Sequence, residues 1–118
     1  MITIIAGTNR PDSNSEKIAN FYNNLISEES QVLALQDLPN DFVFADTYGE
    51  GSSEFNQIVT DKIINSDKFI FVIPEYNGGF PGVLKAFIDA VPPKEFHNKK
   101  AALVGLSSGH TGALRPMD

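Results

Sequence analysis

The unbroken apolar run Phe69-Ile70-Phe71-Val72-Ile73 constrains this chain more than any other stretch. A short apolar run bounded by turn formers reads as a strand buried on both faces, the kind found inside parallel sheets. It leads into Pro74-Glu75-Tyr76-Asn77-Gly78-Gly79-Phe80-Pro81-Gly82, a polar, glycine-rich loop that carries an aromatic ring. Open α/β sheets bind ligands outside the carboxyl ends of their central strands, so such a loop marks a site. Pro74 fixes one torsion and donates no hydrogen bond, whereas Gly78 and Gly79 let bare backbone approach a partner. The combination suits a flat ligand met by main-chain groups and covered by an aromatic side chain.

The remaining sequence alternates strand and helix. Ile2 to Ala6 is a buried strand, and Ser13-Asn14-Ser15-Glu16 is a capping box opening a helix over about residues 14–27, with Ile18, Phe21, Tyr22, Leu25 and Ile26 at helical spacing. Gln31 to Leu35 is a shorter strand followed by Asp37-Leu38-Pro39, and residues 40–53 form an irregular connection. Phe55, Ile58, Val59, Lys62 and Ile63 mark a second helix, with the lysine stem at its border. Pro81 opens a third, whose apolar face is Val83, Leu84, Phe87, Ile88 and Val91, and Pro92-Pro93 stops it. Ala101 to Leu106 is a fourth strand, and Ser107 to Gly112 a second glycine-rich loop.

This order implies a parallel sheet with right-handed crossovers and helices on both faces. Strands one, three and four run into loops rich in Gly, Ser, Asn or Thr; strand two does not. In the doubly wound order 2-1-3-4-5, those three strands are neighbours and the switch point lies between one and three. Three specialised loops would meet at one end of the sheet.

With 118 residues the chain has room for one domain spanning 1–118, since domains commonly run about 100–150 residues. A net charge of -6 and no run of Lys or Arg argue against nucleic acid as a partner. Cysteine is absent, which removes disulfides, thiolate catalysis and Cys-based metal sites. Two distant histidines, His97 and His110, make no metal site. The amino-terminal apolar run is too short for a signal peptide and lacks a basic leader. Nothing approaches the roughly 20 apolar residues of a membrane span, so the expectation is a cytoplasmic protein with no membrane partner.

The first loop, Gly7-Thr8-Asn9-Arg10-Pro11-Asp12-Ser13-Asn14-Ser15, offers three hydroxyls, one guanidinium and the free amides of a helix start. A phosphate monoester wants that set. The alternative is that Ser13 only caps the helix and Arg10 is solvated. The loop lacks the Gly-Lys-Ser/Thr ending of a P-loop and the GxGxxG of a dinucleotide fingerprint, so ATP and a Rossmann-style pyrophosphate are disfavoured.

Taken together, the Gly7–Ser15 loop, the Pro74–Asp89 segment, Asp37-Leu38-Pro39 and the Lys100–Arg115 segment resemble the NADPH-dependent FMN reductase family over nearly the whole chain. The resemblance implies a flavodoxin-like, three-layer αβα fold with sheet order 2-1-3-4. It also implies an oxidoreductase that passes hydride from NAD(P)H through FMN to a small-molecule acceptor such as flavin, quinone or azo dye. Carried over position by position, Thr8, Arg10, Ser13 and Ser15, with Asn14 between them, hold the FMN phosphate. Pro74, Glu75, Tyr76, Asn77 and Gly78 line the isoalloxazine, with backbone amides directed at its polar edge. Ser107, Ser108, Gly109 and Gly112 border the pyrimidine side. Because the cofactor performs the redox chemistry, no catalytic acid, base or metal is assigned. The family also implies a homodimer or homotetramer.

Several residues keep a second reading. Tyr76 either stacks near flavin or packs under its loop, and Glu75 either meets the ligand or orients the loop through backbone amides. His110 is a flavin or nicotinamide contact or a solvated loop histidine, and His97 is a surface residue. Lys85 and Asp89 suit an i,i+4 pair. Phe42, Phe44 and Tyr48 serve as a subunit contact, a lid or ordinary packing. Members of the family normally continue beyond Ala113-Leu114-Arg115-Pro116-Met117-Asp118 with a helix, a fifth strand and a last helix. Over these residues alone, strand four should be an exposed edge with apolar surface uncovered beside it, and FMN binding should be weaker than in a full-length relative. The alternatives to an NAD(P)H oxidoreductase are a flavodoxin-like electron carrier and a fold remnant without activity.

Overall fold

The computed structural model describes residues 1–109 and 112–118; His110 and Thr111 lie outside the described residues. Four strands, β1 (Ile2–Ala6), β2 (Ser30–Ala34), β3 (Lys68–Pro74) and β4 (Lys100–Leu106), form one parallel sheet in the order β2-β1-β3-β4. The register runs Ile2↔Lys68 to Ala6↔Val72 between β1 and β3, and Lys68↔Lys100 to Pro74↔Leu106 between β3 and β4. This is the flavodoxin-like order that the loops imply.

Strand alternation sorts the apolar side chains into two layers. On one face Ile2, Ile4, Ala6, Ala34 and Val72 pack with Ala19, Ile18, Tyr22 and Ile26 from α1 (Asn14–Leu25) and its end. On the other, Ile5, Leu33, Phe69, Phe71 and Ile73 pack against α3 (Ser53–Val59), α4 (Gly82–Ala90) and the connection before α3. Phe55 anchors that second layer, stacked on Phe42 and edge-on to Phe87.

The connection predicted to be irregular is ordered around Phe42. It forms the short helix α2 (Phe42–Ala45), whose phenyl ring is buried while Phe44 and Tyr48 are 95% and 90% exposed. Burial of one ring against Phe55 outweighs the weak helix signal of four residues, which no periodicity could announce. The second helix also differs from a plain α-helix. Beyond Val59 it continues as a π turn over Thr60–Ile64, with Asn65 N–H donating to the Thr60 carbonyl. The Thr60 hydroxyl also donates to the Asn56 carbonyl at 3.0 Å, the same carbonyl that the Thr60 N–H reaches. Lys62 behaves as a border residue should, its ammonium reaching the Val32 carbonyl at 3.1 Å. Pro81 precedes α4 as its N-cap rather than opening its first turn, and Pro93 begins a short 3₁₀ turn (Pro93–Phe96).

β4 lies at the edge of the described sheet, with Lys100 to Leu103 exposed. Residues 112–117 fold back onto it, ending in a 3₁₀ turn at Arg115–Met117 with Pro116 buried. Gly105 makes this possible. A Cβ there would sit 2.7 Å from the Ala113 Cβ and 2.9 Å from its carbonyl oxygen, the close approach that a glycine inside a strand often marks. Gly105→Ala should therefore cost about 1–3 kcal/mol of overpacking, outweighing the entropy gained in the unfolded chain. A urea titration checks this; an unchanged or raised midpoint would show that the fold-back is not held this way.

Candidate functional site

Parallel pairing brings the loops after β1, β3 and β4 to one edge of the sheet. The β1 loop starts at Gly7, whose N–H donates to the Val72 carbonyl at 2.9 Å, while Thr8 N–H turns back to the Ala6 carbonyl. A Cβ on Gly7 would stand 3.0 Å from that Val72 oxygen, so the close approach favours glycine. Thr8 is 1% exposed. Its hydroxyl accepts from the Arg10 N–H at 3.2 Å and shares a 2.9 Å hydrogen bond with the Tyr76 hydroxyl, joining the first and second loops.

After Thr8 the chain reaches α1, where Ser13 is the N-cap and its hydroxyl accepts the Glu16 N–H at 3.0 Å. Ser13 and Ser15 are buried, whereas Arg10 and Asn14 are exposed. The amides of Asn14 and Ser15, at the start of the helix, have no intrahelical acceptor and stand at its positive end.

Pro74 belongs to β3 and not to the loop after it. Val72 turns its carbonyl to Gly7, and Glu75 donates to Leu106 at 2.8 Å. By alternation Pro74 faces the β1 side, beyond the last β1–β3 pair, where no ladder bond is lost. Tyr76 and Gly79 then exchange backbone hydrogen bonds of 2.9 and 3.2 Å around Asn77 and Gly78, whose φ values are +54° and +80°. Asn-Gly with both central φ values positive is the signature of a tight type I′ turn. The Glu75 carboxylate braces it by accepting the Gly78 N–H at 2.6 Å, which bears out the loop-orienting reading. These bonds narrow one expectation. The amides of Glu75, Tyr76, Gly78 and Gly79 are committed within the protein, and among the described residues only the Asn77 amide of this segment lacks a protein acceptor.

A cleft of about 480 Å³ lies between these pieces. Arg10, Ser13, Asn14 and Ser15 form one wall, and Pro74, Glu75, Tyr76, Ser107 and Ser108 border the rest. Gly78 and Gly112 instead line an adjoining cavity of about 300 Å³ that shares Glu75. Asn77 is exposed at the turn tip, Gly109 is exposed with its N–H on the Ser107 hydroxyl at 3.0 Å, and Thr8 is tied to Tyr76 beneath the turn. His110 falls outside the described residues.

The geometry adds residues that the motifs did not single out. Lys17, Ile18 and Leu106 border the main cleft, and Arg115 the adjoining one. Lys17 and Ile18 follow Asn14 at i+3 and i+4, so helix periodicity carried that signal. Arg115 had none, because its position depends on the fold-back onto β4. Lys85 and Asp89 form the expected pair at 2.6 Å, away from the cleft. Among the described residues, two groups with shifted protonation also lie away from the cleft. The hydrogen bond from the terminal ammonium holds Asp67 below its usual carboxyl range, and the bond to Glu28 raises Lys68, both at the opposite end of β3.

An α/β domain with a parallel sheet of order β2-β1-β3-β4 and three loops converging at one edge belongs to the flavodoxin-like class. The sequence matches the NADPH-dependent FMN reductase family over residues 1–118, and the chain belongs to that family. It is 30% identical to a quinone reductase of Pseudomonas putida, over 96% of this chain and 63% of the relative. It is 37% identical to an NAD(P)H-dependent FMN reductase of Pseudomonas aeruginosa, over 59% of this chain and 40% of that protein. Among solved structures, an apo NADH:FMN oxidoreductase (EMOB) superposes with a TM-score of 0.72 at 27% identity, covering 96% of this chain and 62% of that one. The flavoenzyme FerB of Paracoccus denitrificans, an NAD(P)H:(acceptor) oxidoreductase, gives 0.69 at 28% identity, covering 92% of this chain and 62% of that one. The chain thus spans less than two thirds of the length of these relatives. No helix among the described residues is long and apolar enough to cross a membrane.

The Thr8–Tyr76 hydrogen bond is a testable joint between two loops. Tyr76→Phe should cost about 0.5–1.5 kcal/mol, because the buried Thr8 hydroxyl loses one of its two hydrogen bonds and keeps only that from the Arg10 N–H. In a double-mutant cycle with Thr8→Val, chemical denaturation should return a coupling energy of similar size. Strict additivity would show that the hydroxyls do not meet in solution.

Proposed function

We propose that this chain binds FMN in the 480 Å³ cleft and serves an NAD(P)H-dependent oxidoreductase that delivers electrons to a small acceptor such as a quinone, flavin or azo dye. The observation that carries the reading is the conjunction, in one cleft, of a helix start with a serine cap, the Arg10 guanidinium and the Pro74–Tyr76 and Ser107–Ser108 walls. The fit is physical as well as familial. Uncommitted amides at positions 14 and 15, the Ser13 and Ser15 hydroxyls and Arg10 are what a phosphate monoester requires. The cleft volume lies within the range of about 300–1,000 Å³ usual for small-molecule sites.

In this reading Arg10, Ser13, Asn14 and Ser15 hold the phosphate, and Thr8 acts by fixing Tyr76. Pro74, Glu75, Tyr76, Asn77 and Gly78 support the ring system, with the free Asn77 amide as the donor available to its polar edge. Ser107 and Ser108 border the other side, with Gly109 next to them in the chain, whereas Gly112 lines the adjoining cavity. When bound, FMN supplies the two-electron chemistry between nicotinamide and acceptor, and the protein supplies position and electrostatics. No side chain needs to titrate. The exposed Phe44 and Tyr48 rings support assembly into a homodimer or homotetramer, and the absence of cysteine agrees with a cytoplasmic setting.

Titration of the purified chain with FMN, followed by flavin fluorescence, tests the cofactor. Saturable quenching is expected, with Arg10→Ala weakening it about tenfold, equivalent to about 1.4 kcal/mol. No quenching at any concentration would overturn the reading. NADPH oxidation with a quinone or azo dye then tests the activity, and stopped-flow mixing separates a reductase, reduced promptly by NADPH, from an electron carrier.

A further inference from the structure

The chain has only two arginines, Arg10 and Arg115, and both stand at the loop edge of the sheet, in adjoining cavities that share Glu75. Both stand there although the net charge of the chain is -6. Most lysines are engaged elsewhere. Lys68, Lys85 and Lys94 pair with carboxylates, and Lys62 and Lys99 donate to backbone carbonyls. Arg115 makes no ion pair among the described residues, and its side chain is exposed.

Its position is nonetheless set by the fold. Pro116 is buried, Met117 packs 3.4 Å from the Cβ position of Gly105, and the Arg115 carbonyl accepts the Asp118 N–H at 3.1 Å. The Arg115 Nη1 lies 3.7 Å from where a Cβ on Gly78 would be, so the bare backbone of the type I′ turn leaves the guanidinium room. Gly78, Gly112, Leu114 and Glu75 complete the cavity of about 300 Å³. The Glu75 carboxylate is the one acid there, and its charge is engaged by the Gly78 amide.

We infer that Arg115 and this second cavity form the phosphate subsite for the nicotinamide nucleotide. The inference rests on the reading of the first cavity as the FMN site. If Arg10 and the α1 amides hold the flavin phosphate, a second, independent guanidinium on the neighbouring cavity has no role toward that group. The reaction brings one more phosphorylated molecule to the same edge, and a planar guanidinium suits its phosphates. The volume accommodates a phosphate with part of its sugar rather than a whole dinucleotide. Nucleotide would therefore be held at the Gly78 turn with its remainder extending over the main cleft.

The test compares the wild-type chain with Arg115→Ala and Arg115→Lys, each checked for an unchanged thermal midpoint. NADP⁺ and NAD⁺ are titrated calorimetrically into each protein with and without FMN, and FMN binding is followed separately by fluorescence. Arg115→Ala should weaken NADP⁺ about tenfold or more, leave FMN affinity within about twofold, and flatten the salt dependence of nucleotide binding. Lysine should restore part of the loss. Weakening of both nucleotides assigns the guanidinium to the pyrophosphate, and weakening of NADP⁺ alone assigns it to the 2′-phosphate; either supports the inference. Unchanged nucleotide affinity, or an equal loss of FMN, overturns it. Failure of the wild-type chain to bind FMN would instead overturn the reading of the first cavity, a result the separate fluorescence titration identifies.

Discussion

The parallel pairing of β1 with β3 is the interaction on which the rest depends. Its register, Ile2↔Lys68 through Ala6↔Val72 and on to the Gly7–Val72 hydrogen bond, forces both strands to end at one edge. Two distant loops thereby become neighbours, and the Thr8–Tyr76 bond can span 68 residues of sequence. The same pairing sends alternate side chains into two separate cores, one under α1 and one under α3 and α4. Shifting the register by one residue would exchange those faces and expose both cores. The apolar drive for the sheet and the geometry of the site are thus one constraint.

The site's polar groups show a division of labour. Much of the Pro74–Gly79 segment holds itself in shape: Glu75 braces Gly78, Tyr76 and Gly79 close the turn, and Leu106 anchors Glu75. Groups left open are concentrated at the start of α1 and in the two arginines. A loop whose amides are already paired is pre-organised, so less ordering free energy is lost when a ligand arrives. In the proposed reading, attraction of phosphate falls to Arg10 and Lys17 at the main cleft and Arg115 at the adjoining one, in a chain of net charge -6.

Much of this is legible in the sequence. The run at 69–73, the capping serine at 13 and the Asn77-Gly78 pair each state a local preference with a direct physical cause, and each forms where the sequence places it. The α2 turn was not legible because its cause, the stacking of Phe42 on Phe55, joins residues no local pattern connects. The π turn after Val59 falls where helical apolar spacing continues unbroken through Ile63, so no local pattern announces it. Pro74 reads as a loop residue because proline is a poor strand former, yet it closes β3 where the neighbouring ladder has already stopped.

By itself the sequence determined the alternation of strands and helices, the parallel sheet and the three loops rich in small polar residues. Apolar periodicity, cap chemistry and turn chemistry act over a few residues, and they survive without tertiary contacts. Tertiary structure alone decided which amides are free, that Thr8 braces Tyr76, and that Arg115 stands beside Gly78 in a second cavity. Those outcomes follow from strand register and from the missing side chain of Gly105, which bring chain segments into contact across distances that local preference does not reach.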